Sequence, residues 1–514
     1  MTSTRPSAPS ATPVRVLDAW LSGDHPGAIG ADSDAVVTGV SLSTQRIRPG
    51  DLYAALPGSR VHGASFAAEA VAAGAVAVLT DPAGADLCRD LPVPLLVVDR
   101  PRAVLGSLAA KVYGDPATRL RLVAVTGTQG KTTTTRLAEG GLQAAGVPAA
   151  VIGTVGTRIN GHDVQTSLTT PEAPDLHALF AVMCEQGVEG CAMEVSSHAL
   201  VMGRVDGVVF DVAAFTNLGR DHLDFHADVE EYFRAKASLF TPQRARRGLV
   251  KIDDEYGRRL LHEAQIPMRT FSAAGTAADW MALDITMRPT GSAFTVQGPS
   301  GAPFPAEVAL TGDFNVANAL CAIAVLGEAG FDPAKVARGI ASSAGVPGRL
   351  EQVDAGQGFL AIVDYAHKPD AVTAALTALR PLTAGRLIVV IGAGGDRDHG
   401  KRPLMGEISA RLADVLIVTD DNPRAEDPAT IRQAVLAGAA EVPDAEAAAT
   451  HEAGDRRAAI RLAVSMAREG DTVVVAGKGH ETGQEVHGTV SPFDDRVVLR
   501  QELVDVLGEG MRAR

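Results

Sequence analysis

Gly127–Thr128–Gln129–Gly130–Lys131–Thr132–Thr133, set between the apolar run 120–125 and a helical spacing from Thr132 to Ala145, decides how this chain is read. A β-rich run, a glycine turn and a helix in that order make a unit whose backbone N–H groups converge on phosphate oxygens. The helix N-terminus adds positive dipole at the same point. Lys131 supplies a point charge for β- and γ-phosphates, and the Thr132 hydroxyl is placed to reach Mg²⁺. The loop is shorter than the general GxxxxGK[ST] spacing, with two residues rather than four between its glycines. A chance glycine-rich turn is the bland alternative, and the position of Gly-Lys-Thr at the end of a strand weighs against it.

Outward from this loop, further strands are expected at 149–155, 191–195, 208–215 and 248–252 with helices between them, which implies right-handed βαβ units and a parallel sheet. Residues around 268–310 read instead as short antiparallel strands, followed by an apolar helix over 315–326. Beyond Val346–Pro347–Gly348, apolar β-branched runs at 359–364, 387–391, 415–419 and 472–476 alternate with helical stretches near 369–379, 402–411, 428–440 and 455–468. This is a second doubly wound sheet. Ahead of Gly114–Asp115–Pro116, strands at 36–40, 52–56, 75–79 and 95–98 and a helix at 65–73 make a small α/β domain. The fold class is therefore α/β with three domains: a small N-terminal α/β domain (16–118), a central P-loop ATPase domain with a mostly parallel sheet (119–345), and a C-terminal Rossmann-like doubly wound domain (346–514). Residues 1–15, rich in Ser, Thr and Pro, read as a disordered tail.

Composition sets the remaining bounds. At 514 residues the chain is too long for one hydrophobic core. A formal net charge of −14 and a pI near 5.4 argue against a nucleic-acid partner. They allow a phosphate-bearing small molecule in a locally positive site. Cys88, Cys184, Cys191 and Cys321 show no CxxC spacing and read as buried, reduced thiols of a cytoplasmic protein. No stretch approaches the roughly 18 apolar residues of a membrane helix, and the N-terminus carries no secretory pattern. No membrane partner is expected.

Carboxylates and basic groups follow the loop. Glu194 closes the strand 191–195 and precedes Ser196, Ser197 and His198; a carboxylate at the C-terminal end of a parallel strand beside a phosphate loop is where a magnesium ligand belongs. Asn217 and Asp221–His222–Leu223–Asp224–Phe225–His226 follow another strand. Lys236 lies in a helix with the apolar stripe Tyr232, Phe233, Leu239 and Phe240. On its own, a His/Asp-rich turn is a solvated loop, and a helical lysine is exposed.

The shortened TGTxGKTTT loop, together with TNLxxDHLD around His222 and YFxAKxxLF around Lys236, resembles the Mur ligases and the related folylpolyglutamate synthetases, over nearly the whole chain. The resemblance implies ATP and Mg²⁺ as cofactors, catalytic roles for Lys131, Glu194, His222 and Lys236, and Lys236 carbamylated by CO₂. It implies metal contacts from Thr132, Glu194, His222 and Lys236, and nucleotide contacts from Gly127, Thr128, Gln129, Gly130, Lys131, Thr132, Thr133 and Asn217. GxFNxxNxxAA adds Asn315 and Asn318, whose bland role is to cap their own helix. PGR and DYAH add Arg349 and Asp364.

The same resemblance implies a reaction. A substrate carboxylate attacks the γ-phosphate, and an amine then displaces phosphate from the acyl phosphate. Asp420–Asp421–Asn422–Pro423–Arg424 matches the DNPR motif of the members that add meso-diaminopimelate to UDP-N-acetylmuramoyl-L-alanyl-D-glutamate in peptidoglycan precursor synthesis. Arg424 would fork onto the distal carboxylate, and Asp421 and Asn422 would suit the ammonium. Pro423 completes the motif. Arg397, in GxGGDRDxGKRP, is expected as a second carboxylate contact, and Gly477 and Glu481, in GKGHE, at the same ligand. Thr169 and Thr170 match TTP. Ser196, Met202 and Arg204 fall where the acidic peptide and sugar bind, with Met202 standing where glutamine is usual. Leu42, Thr44, Ser59, Arg60 and Val61 align with the uridine side, and Ser43–Thr44–Gln45 replaces the common Asp-Ser-Arg. A monomer is expected. Lysine-adding and D-Ala-D-Ala-adding relatives, and folylpolyglutamate synthetases, are the rival readings, and a P-loop ATPase switch is the remote one.

Overall fold

The computed structural model describes residues 3–21, 27–29, 34–223, 225–343 and 345–512. The chain divides into two compact units: Met1–Phe271 with Cys321–Gly339, and Ser272–Leu320 with Ile340–Arg514.

Two main sheets lie in the first unit. In the smaller, Leu95–Val97, Ala77–Thr80, Asp51–Ala54 and Gly39–Ser41 run parallel, and Gly27–Ile29 adds an antiparallel edge. In the larger, Arg121–Thr126 lies between Gly190–Glu194 and Val212–Phe215. Ala149–Ile152 on one side, and Gly248–Lys251 then Met268–Ser272 on the other, extend it in parallel. A hairpin, Thr157–Ile159 and His162–Val164, closes the edge beside Ala149–Ile152. The central strands are buried along their length, which is why they read as continuous apolar runs rather than as alternation. Register matters most for function. Glu194 pairs with Val125 and Phe215 with Thr126, so three strands deliver their C-terminal ends to one level.

Two expectations are corrected here. Met268–Ser272 is not antiparallel; it runs parallel to Gly248–Lys251, with Gly248 opposite Met268. Nor is the opening segment a disordered tail through residue 15. Arg5 donates to both oxygens of the buried Asp51 at 2.7 and 3.1 Å, and the backbone N–H groups of Ser7 and Ala8 cap the Glu185 carboxylate. Thr12–Pro13 then pairs with Val36–Val37. Cys88, Cys191 and Cys321 are buried free thiols, Cys321 pushed up to about 12 by burial, whereas Cys184 is half-buried.

The second unit contains an antiparallel meander, Trp280–Arg288, Gly291–Gln297 and Phe304–Val308. It also contains a six-stranded sheet ordered Glu351–Gln352, Leu360–Asp364, Thr472–Ala476, Leu387–Ile391, Val415–Val418 and Ala449–Glu452. All but the first strand are parallel. Helices Pro369–Leu379, Lys401–Leu412, Pro428–Ala440 and Arg456–Met466 fall where the apolar spacing placed them. The last strand in sequence, Thr472–Ala476, inserts between the first two parallel ones. That creates the switch in strand order at whose C-terminal edge α/β sheets bind ligands. The Ala-rich stretch conceals the edge strand Ala449–Glu452, and a hairpin, Gly483–Val486 with Thr489–Pro492, was not legible as one. No described helix is long and apolar enough to cross a membrane.

Candidate active site

In the first unit the loop 127–130 leaves the strand Arg121–Thr126 and enters the helix Lys131–Ala144. Gly130 sits at φ +84°, a left-handed turn that a side chain would strain. The helix opens with Thr132, Thr133, Thr134 and Thr135, all buried and all β-branched, a poor start by intrinsic propensity. The loop and the surrounding core therefore dictate where it begins, and Thr135 Oγ1 returns a bond to the Lys131 carbonyl at 3.0 Å.

The loop is braced by its neighbours. Thr128 N–H donates to the Asn217 carbonyl (3.0 Å), Gln129 N–H to Asn217 Oδ1 (2.9 Å), and Thr216 Oγ1 to the Gln129 carbonyl (2.6 Å). Thr128 Oγ1 accepts from Gly219 N–H at 2.9 Å and lies 3.2 Å from the Tyr232 hydroxyl, whose pKa burial raises. Two lysines meet on one carbonyl: Lys131 Nζ and Lys236 Nζ each donate to Gly127 O at 2.8 Å. Lys236 is 1% exposed, with its ammonium 4.6 Å from the Tyr232 ring centre. The expectation from isolated helical spacing, an exposed lysine, does not hold.

Glu194 is buried, and Thr154 holds both its oxygens, by N–H at 2.8 Å and by hydroxyl at 3.1 Å. Arg136, on the phosphate-loop helix, pins the same turn through the carbonyls of Val155 (2.8 Å) and Gly156 (3.2 Å). Burial lowers its pKa, opposed by Glu139. From Glu194 a connected set runs through the expected peptide-binding residues. Thr170 Oγ1 donates to the Glu194 carbonyl (2.8 Å) and accepts from Ser196 N–H (3.3 Å), and Thr169 and Thr154 hydroxyls lie 3.1 Å apart. Arg204 Nε is 2.8 Å from Glu172. The Met202 carbonyl accepts from Arg102 at 3.4 Å. His222 has φ +54°, lies 3.2 Å from Asp221 Oδ2 and meets the His198 ring edge-on at 4.8 Å. Asp224 is outside the described residues. Leu42 and Thr44, and exposed Ser59, Arg60 and Val61, follow the C-terminal ends of the adjacent strands Gly39–Ser41 and Asp51–Ala54.

In the second unit the acceptor-side motifs converge. Gly395 N–H donates to the Asn422 carbonyl (2.9 Å), and a Cβ at Gly395 would fall 1.9 Å from the Pro423 carbonyl oxygen, so only glycine permits this approach. Arg424, at φ +53°, donates from Nη1 to the Gly395 carbonyl at 2.7 Å. Asn422 Nδ2 donates to Glu481 Oε2 at 2.8 Å. Asp421 and Gly477 stand together, a Cβ at Gly477 falling 2.4 Å from Asp421 Oδ2. Arg397 is exposed, with no hydrogen bond or ion pair among the described residues. Arg456, fully buried, forks onto Asp495 and holds the carbonyls of Asp420 (3.3 Å) and Ala476 (2.9 Å), just ahead of Asp421 and Gly477.

Several of the expected ligand residues are also engaged within the fold. Asn422 Oδ1 accepts from Lys478 Nζ (3.1 Å) and Glu485 N–H (3.0 Å), so its oxygen is spent and does not suit an ammonium. Asn315 Nδ2 donates to the Thr311 carbonyl (2.8 Å) and Asn318 Nδ2 to Asn315 Oδ1 (3.2 Å); both serve the start of their own helix. Asp364 accepts from Leu350 N–H (2.7 Å) and Ala366 N–H (2.8 Å), clamping the turn where Arg349 lies 4.6 Å from the Tyr365 ring centre. Burial raises the Asp364 pKa, with Arg349 opposing. Thr154, Tyr232, Arg136, Lys478 and Glu485 were not foreseen. Of these, Tyr232 and Lys478 lie inside quoted motifs, and the other three carried no signal in the sequence.

Three family models match: "Mur ligase family, catalytic domain" over 36–113, "Mur ligase middle domain" over 125–326, and "Mur ligase, glutamate ligase domain" over 348–479. The chain is 55% identical to UDP-N-acetylmuramoyl-L-alanyl-D-glutamate–2,6-diaminopimelate ligase of Streptomyces avermitilis, over 98% of this chain and 99% of that one. It is 44% identical to UDP-N-acetylmuramyl-tripeptide synthetase of Leifsonia xyli, over 97% and 98%. Among solved structures, one titled as UDP-N-acetylmuramoyl-L-alanyl-D-glutamate–2,6-diaminopimelate ligase aligns with a TM-score of 0.66 at 34% identity, covering 91% of this chain and 95% of that one.

Proposed function

The chain belongs to the Mur ligase family, and we propose that it is the member that uses ATP to join meso-2,6-diaminopimelate to the D-glutamate of UDP-N-acetylmuramoyl-L-alanyl-D-glutamate in the cytoplasm. The observation that carries the acceptor assignment is the meeting of three loops, 392–398, 420–424 and 477–485, through Gly395, Asn422, Arg424 and Glu481. They present a guanidinium, an amide and two carboxylates at the switch in strand order. A P-loop switch protein has no need of such an assembly.

The chemistry follows from charge. The glutamate carboxylate attacks the γ-phosphorus, the β–γ bridging bond breaks, and ADP leaves; the acceptor amine then adds to the acyl phosphate and phosphate departs. Lys131, its ammonium folded back on the Gly127 and Thr128 carbonyls of the loop, is the cation at hand for the charge that develops on the transferred phosphoryl group. Mg²⁺ fits the donors present. Glu194 retains lone pairs beyond its two bonds from Thr154, and with the Thr132 hydroxyl it offers the hard oxygen ligands this ion takes. Bound there, the ion supplies charge neutralisation on the polyphosphate. Among the described residues no group of three His, Cys, Asp or Glu side chains gathers as a self-sufficient metal cage, in keeping with a site completed by phosphates and water.

Phosphate release with the UDP-linked dipeptide, measured with meso-diaminopimelate, with L-lysine and with no amino acid, tests the proposal. Release should depend on diaminopimelate; comparable turnover of lysine would overturn it. On the nucleotide side, Lys131→Ala should lower kcat by about 10²–10³ with the fold intact, the usual cost of removing one donor aimed at developing charge. Near wild-type turnover would remove the loop lysine from the mechanism.

A further inference from the structure

Lys478 follows the strand Thr472–Ala476 between two glycines, a setting that reads as a solvated turn, yet its side chain is 0% exposed. Its ammonium donates to the Gly483 carbonyl (2.6 Å), Asn422 Oδ1 (3.1 Å) and Glu481 Oε2 (3.3 Å). Three donors thus meet three acceptors, as a buried ammonium requires. Glu485 N–H also donates to Asn422 Oδ1 (3.0 Å), and Asn422 Nδ2 donates to Glu481 Oε2 (2.8 Å). With two donors on one side and a carboxylate on the other, the Asn422 amide has one satisfactory orientation. Turned over, it would set N–H against N–H twice and oxygen against carboxylate once.

These bonds leave one Nδ2 hydrogen of Asn422 and Oε1 of Glu481 for a ligand, and Glu481 keeps 32% of its side-chain surface open to receive it. A hydrogen-bond donor for a carboxylate and an acceptor for an ammonium stand side by side. We infer that Lys478, resting on the acceptor reading above, is a positioning residue that fixes this polarity and so selects an amine acceptor carrying carboxylate and ammonium on one distal carbon. It acts through Asn422 and Glu481 and does not touch the acceptor.

Steady-state kinetics of the full-length enzyme tests this. Lys478→Met should raise KM for diaminopimelate roughly 30-fold or more, the fold-change expected when a buried hydrogen-bonded partner is lost. KM for ATP and for the UDP-linked dipeptide should move by no more than about twofold. Preference for diaminopimelate over L-lysine should fall by about tenfold, since the Asn422 amide is then held by Glu485 N–H and Glu481 alone and the polarity it presents is less firmly fixed. A purely structural role predicts instead a loss of kcat shared by every acceptor, and that result would overturn the inference. Should Lys478→Met fail to fold, Asn422→Asp keeps acceptors for Lys478 and Glu485 N–H while removing the outward donor. It should raise the same KM, and an unchanged value would equally overturn the inference. A wild-type enzyme with no preference for diaminopimelate would remove the reading on which this rests. A preference that survives Lys478→Met intact would remove this inference alone.

Discussion

Lys236→Ala is expected to retain less than about one part in 10³ of wild-type turnover, several kcal/mol of charge stabilisation being at stake at a metal-assisted phosphoryl site. Short-chain carboxylic acids should restore part of it. Two physical readings compete. As a plain ammonium, Lys236 is a strut, its Nζ bonded to the Gly127 carbonyl at 2.8 Å and its charge over the Tyr232 ring. As a carbamate, formed when the neutral amine adds to CO₂ and releases a proton, it would keep one N–H for that carbonyl and offer a carboxylate in place of the ammonium. What favours the second is that a 1% exposed lysine shares an acceptor with Lys131 at a loop built for anions. The rescue experiment separates them: formate or acetate should restore the carbamate function, small alkylamines the strut. Rescue by amines alone, or full activity in Lys236→Ala, would sink the carbamate reading. Carbon-13 from labelled CO₂ on the wild-type lysine would support it without reference to turnover.

The phosphate loop was legible because its chemistry lives in the backbone. Two glycines and a lysine at fixed spacing after an apolar strand leave few other structures open, and the braces from Thr216 and Asn217 follow from the neighbouring strand end. The parallel strands were legible because burial on both faces makes them continuous apolar runs. Pairing direction was not. Whether Met268–Ser272 runs with or against its neighbour depends on a partner some twenty positions earlier, and no local residue encodes that choice. Arg5 looked like part of a polar tail because Asp51, its partner, is 46 residues away. The orientation of Asn422 was hidden for the same reason, being set by Lys478 and Glu485, 56 and 63 residues downstream. Asp364 and Asn315 illustrate a different limit. Short polar side chains bond nearby backbone groups, and a motif shows the residue type without showing that its oxygens or nitrogens are already engaged.

Arg424→Ala should cost about 2–5 kcal/mol of diaminopimelate binding, as truncating one partner of a desolvated charge pair does. Among the described residues the guanidinium has one hydrogen bond, Nη1 on the Gly395 carbonyl at 2.7 Å, and an ion pair of Nε with Glu485 at 3.7 Å. The remaining donors can take a planar carboxylate in a forked pair. Arg424→Lys should recover only part of the loss, because an ammonium is a point charge and cannot hold both the carbonyl and two carboxylate oxygens. Backbone strain is not a confounder: φ is +53°, and arginine and alanine bear the same Cβ penalty there, so Arg424→Gly serves as the control that relieves it. KM for ATP and for the UDP-linked dipeptide should stay near wild type, since Lys131, Glu194 and Thr170 belong to the other compact unit. Wild-type enzyme should reject L-lysine by at least about 10³-fold. A fully desolvated site built around hydrogen bonds rejects the analogue lacking its partner by ~10⁴–10⁵. Arg424, with a quarter of its side chain exposed, should fall somewhat short of that. If the segment 420–424 were only a turn, Arg424→Ala would lower the melting temperature and the turnover of every acceptor alike. A selective rise in KM for diaminopimelate, with melting temperature and nucleotide KM unmoved, is the outcome that this geometry requires, and an equal loss across acceptors would refute it.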